Sequence, residues 1–402
     1  MWHQLSKVTV LAQTALIGIA AFGLAAASPA DAEIKIGFQA PLTGFAATDG
    51  KSAKIAADMA IEDINAAGGE IGQKLQLISY DDQAKSDQAI FTANKLIGED
   101  GVKLVVNASY SASGRAAAPV FQNAGVVMIS AYGVHPDITR AGDLMFRLVH
   151  LGPPQGRASA LFIGKDLKLK KISAITMDND YGQATMDGFL EAAPKYGIEV
   201  LNKYSYSLTD RQFGSIVASV KRDNPDGVYA TGYFFTGGPL VAQLRGGGVT
   251  APVIGSQAFD SQKFIDIAGP ASEGTYIVDS FDRGRDDAAL QRFFAEFTKR
   301  AGYPPENVAA ISYSAVMLMA DAIKRAGSAE PTKVRDALAA TKNYQLLTGE
   351  LIGFNNLHEV IQTISVNVVK DGKMKSFAKL GDLEAFCLLY TSPSPRDRQK
   401  SR

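Results

Sequence analysis

The stretch that decides the fold is residues 34–69, IKIGFQAPLTGFAATDGKSAKIAADMAIEDINAAGG. Its first residues, 34–38, form a short apolar run, which is typical of a β-strand buried on both faces. A segment with apolar residues on one helical stripe follows at 51–67, and Gly68-Gly69 ends it. A buried strand followed by an amphipathic helix is the unit from which doubly wound α/β sheets are built.

The same alternation continues along most of the chain. Further strands are predicted at 75–80, 103–107, 126–130, 172–176, 228–231 and 276–279, and further helices at 183–196, 213–222, 288–300 and 308–325. Breaks at 151–154 (LGPP) and 281–286 divide the pattern into two α/β blocks. The end is β-rich, at 351–354 and 360–369, with Asp371-Gly372 predicted as a hairpin turn.

The N-terminus has the pattern of a secretory signal. Lys7 precedes an apolar run at 8–27, and the small residues Ala30 and Ala32 follow, so we expect cleavage after Ala32. The apolar run approaches the length of a membrane span, so an uncleaved anchor is the alternative. Because no Cys stands directly after the run, a lipid anchor is not expected.

The C-terminal residues 387–402, CLLYTSPSPRDRQKSR, lose all periodicity and resemble a translated sequencing adapter. We expect a non-native tail, with a disordered basic tail as the alternative. The chain has 41 basic and 41 acidic residues, and without both ends the body, 33–386, keeps 36 and 39. This mildly acidic body of 354 residues has no Cys and no Trp, favours two domains, and offers nothing to attract nucleic acid.

Catalytic motifs are missing from the body. His135, His150 and His358 are isolated, and no spacing of His, Cys or carboxylates resembles a metal site. There is no P-loop, no G-x-S-x-G elbow and no G-x-G-x-x-G after a strand. The sequence therefore predicts no catalytic residue, no metal and no cofactor.

Polar and aromatic residues instead follow the predicted strands. These loops are 107–114, 130–134, 177–182, 231–235 and 255–257. Open α/β sheets bind ligands at the carboxyl ends of their strands, so the loops predict a small-molecule cleft between the two blocks. The serines of 107–114 and the free N–H groups of the helix after them suit a carboxylate, although a simple helix cap is the alternative.

Several motifs resemble those of the leucine/isoleucine/valine-binding family, the periplasmic receptors of branched-chain amino-acid-type ABC importers. They are IKIG at 34–37, PLTG at 41–44, A-x-x-A-x-x-DIN-x-x-GG at 57–69, YDD at 80–82 and DYG at 180–182. The resemblance covers residues 33 to about 380. It implies a type I periplasmic binding fold, a clamshell of two doubly wound lobes joined by three hinge crossings. Lobe 1 would comprise 33–150 and 282–358, and lobe 2 would comprise 151–281 and 359–382.

The resemblance also implies which residues bind the ligand. They are Ser111, Tyr132, Val134, Tyr181, Tyr233 and Gln257, with Asp49, Ser113 and Asp178 as weaker candidates. Ser111 would hold a carboxylate. Three positions depart from the family: Gln257 replaces the acid that pairs with an ammonium, Tyr132 replaces a small residue, and a Tyr that often covers the ligand is replaced near Asp49. We therefore expect a ligand other than leucine, isoleucine or valine: a carboxylate without an amine, an amide or urea, or a different amino acid.

The function that the resemblance implies is that of a monomeric periplasmic receptor. It would pass a small molecule to an ABC permease in the inner membrane, without binding nucleic acid. A ligand sensor with the same fold is the main alternative. A secreted α/β enzyme is a third hypothesis, which the missing catalytic motifs disfavour.

Overall fold

The structure is a computed structural model, which describes residues 33–381 of the 402. The predicted signal at 1–32 and the predicted tail at 387–402 lie outside the described residues. Within 33–381, no helix is long and apolar enough to span a bilayer.

The first sheet is formed by the N-terminal block. Its strands are β1 Ile34–Ala40, β2 Leu75–Asp81, β3 Leu104–Asn107, β4 Val127–Ser130 and β5 Met145–Arg147. All five are parallel, in the order β2-β1-β3-β4-β5. The connecting helices are α1 Ala47–Ala66, α2 Ser86–Gly98, α3 Ser111–Asn123 and the short α4 Asp137–Arg140. Strands β3 and β4 are buried throughout, as expected when helices cover both faces.

The second sheet is built from the following block. Its parallel strands are β6 Lys171–Met177, β7 Glu199–Tyr206, β8 Gly227–Thr231, β9 Val253–Gly255 and β10 Tyr276–Asp279. Its helices are α5 Gly152–Leu161, α6 Asp180–Ala192, α7 Gly214–Asp223, α8 Phe234–Gly246 and α9 Gln262–Ala268. Short 3₁₀ or π turns at 162–166, 193–196, 257–259 and 269–272 complete it.

The remaining elements return to both sheets. They are α10 Ala288–Ala301, α11 Asn307–Ala326, α12 Pro331–Ala339, β11 Tyr344–Gln345, β12 Glu350–Phe354, β13 Val360–Gln362, β14 Ile364–Lys370 and β15 Lys373–Leu380. Helix α11 packs on α1 and reaches β3 of the first sheet. Strands β14 and β15 extend the second sheet beside β10, whereas β11, β12 and β13 form a small antiparallel sheet. The chain thus passes between the two large sheets three times: after β5, after β10 and before β14.

The two large sheets repeat one strand order. In the second sheet β7-β6-β8-β9-β10 matches β2-β1-β3-β4-β5 of the first. In each, the winding reverses beside the first strand of the block, between β1 and β3 and between β6 and β8. A crevice for ligands opens at such a reversal, outside the carboxyl ends of the strands. Each sheet therefore contributes one crevice.

The predicted break at 151–154 falls at the start of α5, between the strands of the first and second sheets, and Pro153 and Pro154 occupy the first turn of this helix, where a missing N–H costs nothing. Two sequence predictions are corrected. The strand predicted at 360–369 is two strands in different sheets, β13 and β14. Helix α1 begins at Ala47 instead of residue 51, which brings Asp49 into its first turn.

The predicted turn at Asp371-Gly372 is confirmed. It joins β14 to β15 as a two-residue hairpin loop, and both residues have positive φ, 57° and 67°. Positive φ at both central positions is what a type I′ turn requires.

Candidate functional site

A cavity lies between the carboxyl ends of the two sheets. Its lining comprises Asp49, Tyr110, Ser111, Tyr132 and Val134 from the first sheet side, Tyr181, Tyr233, Gln257, Ala258 and Asp260 from the second, and Asn307 and Val308 from the start of α11. The structure brings together all six principal candidates from the sequence, together with Asp49. Both crevices thus face a single shared space.

Equivalent strands of the two sheets supply equivalent parts of the lining. The residues after β1 and β6 are Asp49 and Tyr181, those after β3 and β8 are Tyr110-Ser111 and Tyr233, and those after β4 and β9 are Tyr132, Val134 and Gln257. The repeated strand order explains why loops far apart in sequence meet here.

Two glycines allow the lining residues to sit close to the strand ends. Gly50 follows Asp49, and Gly182 follows Tyr181. A Cβ on Gly50 would lie 2.1 Å from the carbonyl oxygen of Pro41, and a Cβ on Gly182 would lie 2.1 Å from that of Met177. Any larger residue would push the helix start, and the lining residue with it, away from the sheet.

Tyrosines form the walls of the cavity. The rings of Tyr110 and Tyr233, from opposite sheets, stack with centroids 4.2 Å apart, and Tyr181 stacks on Tyr233 at 5.3 Å. Tyr132 meets Tyr110 edge to face at 6.2 Å, and its hydroxyl donates to the carbonyl of Ala108. The rings stack on one another, and aromatic rings bind a planar or apolar group by the same offset stacking or edge contacts.

The hydroxyls of the wall are neutral and largely engaged. The Tyr181 hydroxyl accepts the backbone N–H of Ala258 at 3.1 Å, and Asn179 donates to the Tyr233 hydroxyl at 3.2 Å. Burial raises the pKa of Tyr181 to about 12 and that of Tyr233 further still. Neither phenol carries charge near neutral pH.

The start of α3 forms a polar corner of the cavity. Ser111 is its first residue, and the Ser111 Oγ accepts the backbone N–H of Val134 at 3.1 Å. Tyr110 occupies the N-cap position, but its side chain caps no backbone N–H. The first-turn N–H groups and the Ser111 hydroxyl are therefore available to an anionic group such as a carboxylate.

Asp49 also lines the cavity and is 5% exposed. Its Oδ2 accepts a hydrogen bond of 2.8 Å from the Tyr110 hydroxyl. Burial raises the pKa of Asp49 from 3.8 to about 7; the Tyr110 bond opposes the rise and the charge of Asp260 adds to it. Close by, burial raises the pKa of Glu306 to about 8, and the Ser52 hydroxyl opposes the rise.

Gln257 belongs to a network that reaches the chain crossing after β10. Asn307 donates from its Nδ2 to Asp279 at 2.8 Å, so its Oδ1 accepts, and Gln257 Nε2 donates to that oxygen at 3.0 Å. Arg283, in the crossing, holds both oxygens of Asp260 at 2.7 and 2.8 Å. The network fixes the Gln257 amide, and its Oε1 has no partner within residues 33–381.

Two of the weaker candidates do not line the cavity. Ser113 is buried on α3. Asp178 is exposed and accepts a hydrogen bond from Gln183.

Sequence reasoning missed Tyr110, Ala258, Asp260, Asn307 and Val308 as lining residues. Tyr110 adjoins Ser111, so its place in the post-strand loop was an available signal. No local pattern marks the start of α11, since it reaches the cavity only through the chain crossings.

Among the described residues, no group of three or more His, Cys, Asp or Glu side chains is arranged to hold a metal ion. The fold and the site define a class: an α/β protein with two large, similarly ordered sheets and a cavity between their carboxyl ends. The chain belongs to the periplasmic binding protein family, whose model matches residues 33–373. The family resemblance and the fold class predicted from the motifs are confirmed.

Relatives and solved structures cover nearly the whole described chain. A leucine-, isoleucine-, valine-, threonine- and alanine-binding protein of Pseudomonas aeruginosa is 32% identical over 86% of this chain and 91% of its own length. A branched-chain amino acid transporter substrate-binding protein of Streptococcus pneumoniae, solved with isoleucine, is 26% identical, with a TM-score of 0.80 over 87% of this chain and 99% of that one. A solute-binding protein of Rhodopseudomonas palustris, solved with 3,4-dihydroxybenzoic acid, shares the fold at 23% identity, with a TM-score of 0.80 over 87% of this chain and 97% of that one.

Proposed function

We propose that this chain is the periplasmic solute-binding receptor of an ABC importer. It captures a small amino-acid-like or organic-acid ligand in the cavity between its two sheets and presents it to a membrane permease. The observation that carries the proposal is the convergence of post-strand loops from both sheets on one buried cavity. The substrate-binding proteins named above support it. We propose that the receptor acts as a monomer.

The proposed mechanism is closure of the two lobes around the ligand. A ligand that contacts both lobes stabilises the closed form over the open form. The difference in free energy comes from the contacts that the ligand makes only when the lobes are closed. Ser111 and the start of α3 hold the ligand carboxylate from one side, while Tyr181 and Tyr233 cover it from the other. The stacking of Tyr110 on Tyr233 shows how closely the two sides approach.

The proposed ligand has a planar or aromatic group instead of a branched aliphatic one. Tyr132 contributes a ring 6.2 Å from Tyr110, at a position where the resemblance implies a small residue. That ring occupies space that a branched side chain would need and offers an edge for a flat one. The polar corner at Ser111 and the start of α3, which suits a carboxylate, is retained.

The test is calorimetric titration of the purified protein with amino acids and aromatic carboxylates. Ser111→Ala removes the hydroxyl from the polar corner of the cavity. We expect this variant to bind the tightest ligand about tenfold more weakly, because one hydrogen bond to a charged group contributes roughly that much to affinity. Ser113→Ala is the matched control, because Ser113 lies on the same helix but outside the cavity.

We expect Ser113→Ala to bind as the unaltered protein does. If no compound of the panel binds, or if both variants weaken binding equally, the proposed function is wrong. Turnover of a bound compound, followed by mass spectrometry, would favour an enzyme instead.

A further inference from the structure

Buried carboxylates are concentrated on one side of the cavity. Asp49 and Asp260 line it, Asp279 and Glu306 lie directly behind, and all four are at most 5% exposed. Within residues 33–381, Asp260 forms an ion pair with Arg283. Asp49 and Glu306 form no ion pair with a cationic side chain of the same residues. A buried carboxylate without a countercharge is costly to ionise.

Of the two carboxylates that line the cavity, Asp260 is paired with Arg283, and Asp49 is the one without a cationic partner within residues 33–381. Tyr110 supplies the single hydrogen bond that the described chain gives this carboxylate. A carboxylate accepts about four such bonds, so Asp49 retains capacity for a donor inside the cavity. Gln257 Oε1, 6% exposed and unpartnered within residues 33–381, is a second acceptor in the same lining.

We propose that the ligand carries a protonated amine, that Asp49 is the anion that pairs with it, and that Gln257 Oε1 is its second acceptor. The proposal rests on the proposed function and narrows it to a zwitterion: the carboxylate at Ser111 and the start of α3, the ammonium at Asp49. Both ends of the ligand are then held mainly by loops of the first sheet. A carboxylate without an amine is excluded as the preferred ligand.

The groups around Asp49 favour a positively charged group on the ligand. The titratable groups that face it are Tyr110 on α3, Tyr132 after β4, Tyr233 before α8, Asp260 after β9, and Tyr303 and Glu306 before α11. All are acids, and none is a base. The tyrosine faces add a further preference for cations, because the ring quadrupole attracts positive charge. A ligand that is only an anion would face these acids without a positive charge to offset their repulsion.

The experiment is calorimetric titration with matched pairs of compounds. The twenty proteinogenic amino acids are compared with the carboxylates that have the same skeleton but no α-amine, for example L-phenylalanine with 3-phenylpropanoate. The unaltered protein, Asp49→Asn and Asp82→Asn are titrated at pH 6 and pH 8. Asp82→Asn is the matched control, since Asp82 is fully buried in the same unit but does not line the cavity.

We expect an amino acid to bind at least 100-fold more tightly than its deamino partner at pH 8. Asp49→Asn should reduce that affinity about 100-fold or more, as loss of one member of a buried charge pair does, whereas Asp82→Asn should leave it unchanged. Affinity for the amino acid should fall about tenfold from pH 8 to pH 6 as Asp49 takes up a proton, since burial places its pKa near 7. The Asp49→Asn protein should lose this pH dependence.

The outcomes separate the inference from the proposed function. If a deamino carboxylate binds as tightly as its partner, or if its affinity rises toward pH 6, the inference is wrong while the receptor function stands. If amino acids bind equally to the Asp49→Asn protein, the inference is also wrong. If no compound of either class binds, both the inference and the proposed function are wrong.

Discussion

Replacing Asp49 by Asn should stabilise the ligand-free protein at neutral and alkaline pH, at the expense of binding. Burial raises the pKa of Asp49 from 3.8 to about 7, which is roughly three pKa units. Each unit corresponds to about 1.4 kcal/mol, so ionised Asp49 destabilises the fold by about 4 kcal/mol above pH 7. Asn is isosteric, carries no charge, and still accepts the Tyr110 hydrogen bond through its Oδ1.

The effect of Asp49→Asn on the free energy of unfolding depends on pH. Below about pH 4 the Asp49 carboxyl is protonated in both the folded and the unfolded chain, so the substitution should change the free energy of unfolding little. Between pH 4 and pH 7 the unfolded chain ionises while the folded chain stays protonated, so the advantage of Asn grows with pH. We expect the full gain of about 4 kcal/mol near pH 8, seen as a melting temperature several degrees higher.

The assay is urea or thermal unfolding at pH 4 and pH 8, with Asp178→Asn as the control for an exposed carboxylate outside the cavity. That control should leave the melting temperature unchanged at both pH values. A loss of stability in the Asp49→Asn protein at pH 8, or a gain equally large at pH 4, would refute the reasoning.

Two further substitutions test the framework around the cavity. Arg283→Met should lower the free energy of unfolding by about 3–5 kcal/mol, measured by urea unfolding, because it leaves Asp260 buried without its partner; a loss below about 1 kcal/mol would contradict this. Gly182→Ala should cost about 1–3 kcal/mol and also weaken ligand binding, because its Cβ would lie 2.1 Å from the Met177 carbonyl oxygen and displace the neighbouring Tyr181. Unchanged binding and unfolding in that variant would show that the close approach is not needed.

Much of the fold and the cavity followed from local patterns. Alternating apolar strands and amphipathic helices are set by short-range periodicity, so the strands near 34, 104 and 228 were predicted within a few residues. Ligand-facing loops were predicted because parallel strands bring their carboxyl ends to one edge. Tyr132 and Gln257 lie in two of these loops, the family resemblance implied them as ligand-binding residues, and both line the cavity.

The rest depended on tertiary contacts that no local pattern encodes. Asn307 reaches the cavity because the chain crosses back after β10, and its partners Gln257 and Asp279 lie 50 and 28 residues away. The edge strand β15, largely exposed, has too little apolar alternation to be detected alone. The groups that adjust the pKa of Asp49 beyond its burial, Tyr110 and Asp260, lie on elements far along the chain.

The most direct test of the account is a crystal structure of the protein grown with the amino acid that binds most tightly. We predict one ligand molecule between the two sheets, with its carboxylate on the Ser111 hydroxyl and the first-turn N–H groups of α3. Its ammonium nitrogen should lie within hydrogen-bond distance, about 3 Å, of an Asp49 carboxylate oxygen. A ligand bound outside this cavity, or one whose ammonium contacts Gln257 while Asp49 contacts only Tyr110, would contradict the account.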